Sequence, residues 1–300
     1  MRRISKKHKI MLIAALVISG IILLCRLPVI IFLNFNPSKI SYGTFLFDKN
    51  RERLFLNDIL LWDTGASESM LYEGCEDKIE YKKIPFSYVP VTDTFGKVRF
   101  QKLCYSSQFN LIDSLIFCKF CFLLLDKPIE ELKYYNENEI GMTGMDVIGK
   151  ANWLIDFTLG KIEISPKANT YKPEEQAQLI LKYKKIDRRP KTHLDFSVCQ
   201  LENVLIDAGS SGELTLLKSD IEQINNKYKP TDTLTATSYG LYSTSPVVQH
   251  CYVYDTIKIN NLYCYNVQIV EGEKRAIGFK FFKRFNKVYL STKEEEFRFY

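Results

Sequence analysis

Apolar positions along this chain recur mostly in short runs or at alternate residues, the spacing of strands rather than of helices. Residues 41–47 and 53–61 are two such stretches, parted by Asp48-Lys49-Asn50. Strands are expected again at residues 83–91, 98–105, 110–117 and 120–125, with Thr92-Asp93-Thr94-Phe95-Gly96-Lys97 as a hairpin tip. Residues 154–157 and 161–164 form a further hairpin through Thr158-Leu159-Gly160. Later candidates are residues 193–197, 204–206, 231–244, 247–254, 256–259, 263–270, 288–291 and 296–300. Helical periodicity is sparse, with residues 212–227 the best short candidate. Residues 165–189, rich in Lys, Pro, Glu and Gln, lack an apolar face and read as a connection with room for a short helix over residues 173–182.

The N-terminus breaks this pattern. Residues 10–25 are uninterruptedly apolar, Arg26 intervenes, and residues 27–33 resume the run, with Arg2, Arg3, Lys6, Lys7 and Lys9 ahead of it. Arg26 can reach a membrane boundary with its charged tip, so residues 10–33 are expected to span a membrane as an uncleaved signal anchor. The basic tip then stays cytoplasmic and the rest of the chain lies outside. A cleaved signal peptide competes with this reading, but no small-x-small site follows Arg26 and Cys25 is preceded by Leu24.

Two stretches carry the candidate chemistry. Leu60-Leu61-Trp62-Asp63-Thr64-Gly65-Ala66-Ser67 delivers an acid from an apolar run into a glycine turn, and Val204-Leu205-Ile206-Asp207-Ala208-Gly209-Ser210-Ser211 does so again. Gly96 lies 33 residues after Asp63 and Gly240 lies 33 after Asp207, each preceded by an aromatic, Phe95 or Tyr239. Ser67 and Ser211 each sit four residues after their acid. Farther on, Gly144 and Asn152 hold the same offset as Gly278 and Asn286, and an apolar strand follows each asparagine. Landmarks repeated in one order point to an internal duplication in which each copy supplies one carboxylate.

On these motifs the chain resembles the aspartic peptidases of the pepsin and retropepsin kind, and is most similar to bacterial two-lobed proteins whose halves are each retropepsin-like. The resemblance covers roughly residues 40–300. It implies a mainly β, bilobal acid-protease fold of two duplicated β-barrel-like lobes, preceded by the one transmembrane helix. Residues 1–35 are then the basic tip and anchor, 36–170 the first lobe, 171–190 a linker and 191–300 the second lobe. Asp63 and Asp207 become the catalytic pair, and Thr64, Gly65, Ser67, Ala208, Gly209 and Ser211 their support. Phe95, Gly96, Tyr239 and Gly240 become flap residues, and Gly144 and Gly278 the glycines that cross behind the acids. The placement implied is a bacterial inner membrane with the folded part in the periplasm.

The expected reaction is hydrolysis of extended polypeptide by a water held between two carboxylates that share one proton. Repulsion between close like charges keeps one carboxyl protonated while its partner acts as base. The resemblance directs the Thr64 hydroxyl to the backbone of the opposite lobe, and Ser67 and Ser211 are placed to bond the outer carboxylate oxygens. Ala208 departs from the family pattern, since a hydroxyl residue is expected there. Asp146 and Asp156 have no counterpart acid in the repeat and read as surface or turn carboxylates, and Trp62 as core.

Composition narrows the alternatives. Net charge is +6, but the positive residues are scattered apart from the N-terminal cluster, so no basic face for nucleic acid is expected. Cys118-Lys119-Phe120-Cys121 lacks the partner pair or histidines of a zinc site and reads as strand packing. No metal or organic cofactor is implied. One chain supplies both acids, so a monomer suffices, with a polypeptide as partner. The competing function is a catalytically weak peptide-binding protein that keeps the fold.

Overall fold

In the computed structural model, residues 6–35, 37–126, 138–168, 176–242 and 245–300 are described. The protein is mainly β. Its first sheet has eight strands. Seven run in the order Phe55–Leu56, Leu60–Trp62, Gly141–Thr143, Met70–Tyr72, Leu115–Leu125, Val98–Ile112 and Lys82–Thr92, while Lys39–Ile40 pairs aside onto Leu115–Leu125. The second eight-stranded sheet runs Lys184–Ile186, Arg189–Asp195, Gln200–Asp207, Ala276–Gly278, Leu214–Leu216, Leu262–Glu271, Val247–Ile259 and Asp232–Ser238.

The two sheets repeat one another in order and in direction. Leu60–Trp62 runs parallel to Gly141–Thr143, as Gln200–Asp207 does to Ala276–Gly278. Met70–Tyr72 is antiparallel to the first of these partners, as Leu214–Leu216 is to the second. The strands nearest the acids are buried on both faces. Leu60, Leu61, Trp62, Val204, Leu205 and Ile206 are all buried, as expected of a parallel pairing in a sheet interior.

Among the described residues neither eight-stranded sheet closes, so the expected β-barrel-like lobes are corrected to open, partial sheets. A third sheet of six strands instead draws on both halves of the chain: Leu179–Lys182, Glu296–Phe299, Lys287–Ser291, Ala151–Asp156, Lys161–Pro166 and Gly43–Leu46. Its central pairing sets Trp153 opposite Leu290 and Ile155 opposite Val288, all four buried. Trp62 and Trp153 then meet at 5.7 Å between ring centroids, fastening the first acidic strand to this shared layer.

Several expectations change at this level. Residues 179–182 form a strand on Glu296–Phe299 rather than part of a helix, while residues 169–175 lie outside the described residues. The run at residues 53–61 is broken into two short strands by Asn57 and Asp58, both at positive φ, where the chain reverses. Within residues 212–227 the helix is Lys218–Ile224.

The N-terminal stretch is helical at Lys6–Phe35, but among the described residues no helix is long and apolar enough to cross a membrane. That overturns the signal anchor over residues 10–33, the membrane partner and the inner-membrane, periplasm-facing topology. The uninterrupted run of 16 residues covers about 24 Å at 1.5 Å per residue, short of a hydrocarbon core of about 30 Å, and Arg26 ends it.

Candidate functional site

Each acid emerges where a buried strand ends beside the crossing glycine of its parallel neighbour. The Asp63 amide donates to the Thr143 carbonyl at 3.0 Å, and Asp207 stands in register with Gly278. Gly144 (φ −95°, ψ −177°) and Gly278 (φ −95°, ψ 178°) share one extended conformation, and each opens a four-residue helix. The residue after each glycine donates to the carbonyl three residues past the acid: Met145 to Ala66 at 2.9 Å and Phe279 to Ser210 at 2.7 Å. The sequence repeat is thus a repeat of hydrogen bonds.

The two turns face one another, and each carboxylate packs on the glycine of the other. A Cβ added to Gly65 would stand 2.5 Å from Asp207 Cγ; one added to Gly209 would stand 2.5 Å from both carboxyl oxygens of Asp63. No side chain fits in either place, so glycine here serves close approach. Asp63 Oδ1 accepts the amides of Gly65 at 2.7 Å and Ala66 at 3.1 Å. Burial, and then the charge of Asp207, push the Asp63 carboxyl up to about 7, against the opposing pull of these amides and Lys274.

Thr64 ties the turns together. Fully buried, it donates its hydroxyl to the Ile206 carbonyl at 2.7 Å and accepts the Ala208 amide at 3.0 Å. Ala208 has no hydroxyl to return the contact, so the grip is one-sided. The bonds expected from Ser67 and Ser211 are corrected: among the described residues neither hydroxyl bonds Asp63 or Asp207, and Ser211 is exposed in a neighbouring groove. Ser69 instead braces the first turn, accepting the Gly144 amide at 3.0 Å and donating to Asp146 Oδ1 at 2.8 Å. Asp146, half-buried in the turn that opens the helix after Gly144, is held by that bond; desolvation, with Glu68 adding to it, pushes its carboxyl up to about 7. Asp156 accepts the Leu159 amide at 2.8 Å in the hairpin after it, a turn role.

Sequence reasoning missed Lys274. Its Nζ lies 3.0 Å from Asp207 Oδ2. It belongs to a polar stretch, Glu271 to Arg275, that reads as a turn, and its only sequence signal is its place four residues before Gly278. Ile140 holds that place before Gly144.

A cavity of about 390 Å³ lies over the acids, lined in part by Met70, Tyr72, Phe95, Met142 and Tyr239. Phe95 and Tyr239 therefore both face it, and Gly96, at φ 77°, forms the tip of the hairpin above. The loop after Gly240 reaches across to that hairpin. The Tyr242 amide donates to Asp93 Oδ2 at 3.3 Å, its carbonyl accepts Lys97 Nζ at 3.0 Å, and its hydroxyl accepts Gln101 Nε2 at 3.1 Å. Arg99 lies over its ring at 4.9 Å. Tyr242 was sequence-legible only as part of a strand, which in fact ends at Ser238.

Among the described residues no three His, Cys, Asp or Glu side chains converge as metal ligands would. No protein-family model matches the chain, and no curated protein matches it.

Proposed function

We propose that the protein is an aspartic endopeptidase of the pepsin and retropepsin kind, hydrolysing extended polypeptides with Asp63 and Asp207. The observation that carries this reading is the reciprocal packing of each carboxylate on the other's turn glycine. In this reading Asp207, ion-paired with Lys274, accepts a proton from the attacking water. Asp63, held protonated to near neutrality, gives its proton to the carbonyl oxygen of the scissile amide. The resulting gem-diol collapses as the proton on Asp207 passes to the leaving nitrogen, and a gem-diol hydroxyl proton returns to Asp63. The proton belongs to the pair, so the rate reports macroscopic values. The two hairpins shelter the reaction from bulk water.

One contact favours a second reading. Lys274 occupies an oxygen of Asp207 that the water needs, as it would in a peptide-binding protein that has lost turnover. Cleavage of a peptide library by the full chain between pH 4 and 8 separates the two. Asp63→Asn and Asp207→Asn are each expected to lower kcat/KM by at least ~10³-fold. Cleavage retained in both variants removes the peptidase reading; a folded wild type that binds peptides without cutting them leaves the binding protein.

A further inference from the structure

A second groove, of about 1050 Å³, continues from the cavity over the acids and shares with it Arg53, Gly209, Ser210, Thr215, Ser238 and Tyr239. Its charge is one-sided. Five cations line it: Arg51 and Arg53 from the first half, and Lys280, Lys283 and Arg284 from the helix Phe279–Phe282 and the turn after it. Among the described residues only two acids do, Glu52 and Glu213. Glu213 is consumed, since its fully buried carboxylate pairs with Arg284 and accepts the Gln268 amide. Arg51 is met by Asp48 and Asp58, and Arg53 by Glu139, at 3.3 to 3.7 Å.

Lys280 and Lys283 differ from these. Lys280 Nζ donates to the Gln268 side-chain carbonyl at 2.8 Å, and Lys283 Nζ to the Arg51 backbone carbonyl at 3.1 Å. Among the described residues neither has a carboxylate partner. Two ammonium groups held on neutral oxygens, against Glu52 as the one lining acid without an ion pair among the described residues, leave a positive excess in a channel continuous with the paired aspartates.

We propose that this groove is a substrate-binding subsite for acidic side chains, so that the preferred polypeptide carries Asp or Glu on one side of the cleaved bond, held by Lys280 and Lys283. The inference rests on the cleft being a polypeptide-binding cleft, and it concerns which polypeptide. Extended chain alternates its side chains, so acidic residues two apart face the same wall of the groove.

The test uses the full chain and three fluorogenic peptide sets that differ only at positions flanking the scissile bond, carrying Glu, Gln or Lys. The Glu set is expected to exceed the Gln set by roughly tenfold in kcat/KM at low salt, with the Lys set lowest, and the advantage to shrink as salt rises. Lys280→Glu with Lys283→Glu is expected to invert the order while cleavage of the Gln set persists, which also reports that the variant folds. Equal cleavage of all sets, or a Glu preference that survives the double substitution, overturns the proposal. Should no set be cleaved, fluorescence anisotropy of the same labelled peptides decides it. Binding that favours Glu and inverts in the double variant supports the subsite while the peptidase reading falls. Binding indifferent to charge, or none, overturns the subsite as well.

Discussion

The two halves of the molecule build the same turn from the same backbone bonds and then equip it differently. The first half gives its acid two amides and a bridging threonine; the second gives its acid a lysine and an alanine. What the halves share is therefore geometry, the glycine-for-carboxylate approach and the crossing glycine. What they do not share is charge. Backbone placement fixes where two carboxylates meet, while burial, the charge of Asp207 and the opposing Lys274 set how firmly Asp63 holds its proton.

The widest consequence of the shared part is that the halves fail alike. Gly65→Ala drives a methyl into Asp207, and Gly209→Ala drives one into Asp63. Either displacement, of the order of an ångström, is expected to cost about 10²-fold or more in kcat/KM, since reacting groups tolerate little misplacement. Kinetics on both variants, with circular dichroism as a check of folding, tests this. A mild loss in one and a severe loss in the other would show that the approach is not reciprocal.

The shared geometry is also the part that sequence made legible. Asp63-Thr64-Gly65 and Asp207-Ala208-Gly209 stand out because an apolar run rarely ends in an acid followed two residues later by glycine, and the equal offsets to Gly144 and Gly278 tie the copies together. Lys274 was invisible because its partner is 67 residues away and its neighbours Glu273 and Arg275 give it the look of a solvated turn. Leu179, Ile180 and Leu181 were hidden for another reason. The middle residue is exposed yet apolar, so the alternation that marks a half-buried strand is absent from the sequence and present only in the burial. The shared six-stranded layer depends on pairings between distant halves, such as Leu154 with Tyr289, that no local pattern encodes.

The unequal parts predict unequal outcomes. Thr64→Val removes a buried hydroxyl that serves both the Ile206 carbonyl and the Ala208 amide, leaving two buried polar groups unpaired. A loss of about 1–3 kcal/mol is expected in chemical denaturation. The counterpart change Ala208→Val removes no hydrogen bond, so any destabilisation it causes comes from overpacking at a fully buried position. Comparing Thr64→Ser, which keeps the hydroxyl, isolates the bond: near wild-type stability in that variant, beside loss in Thr64→Val, assigns the cost to the bridge. An equal loss in both would assign it to packing.

Lys274 governs the difference in charge, and its removal has a definite sign. Burial and Asp207 raise the Asp63 carboxyl, and Lys274 opposes that rise. The groups facing the pair across the cavity include Asp93, Glu139 and Glu273 against Arg53 and Arg189, so Lys274→Met leaves acids in excess. The Asp63 carboxyl then holds its proton to higher pH. The alkaline limb of the kcat/KM profile is expected to move upward by about one pH unit, equivalent to about 1.4 kcal/mol of lost charge stabilisation. A downward shift, or none, would mean that the lysine does not share the field of the pair.

The hairpins supply the smallest test of the comparison, because there the two halves meet through single hydrogen bonds. Tyr242 turns its amide, carbonyl and hydroxyl to Asp93, Lys97 and Gln101, all of the first hairpin. Tyr242→Phe removes only the bond from Gln101 and keeps the ring beneath Arg99. The expected cost is about 0.5–1.5 kcal/mol, the ordinary worth of one such bond. If that energy holds the cleft closed, it is returned when substrate parts the hairpins, so KM falls up to about tenfold and kcat stays near wild type. A rise in KM would mean instead that the clasp forms part of the bound state, and that the second hairpin grips the substrate rather than guarding it.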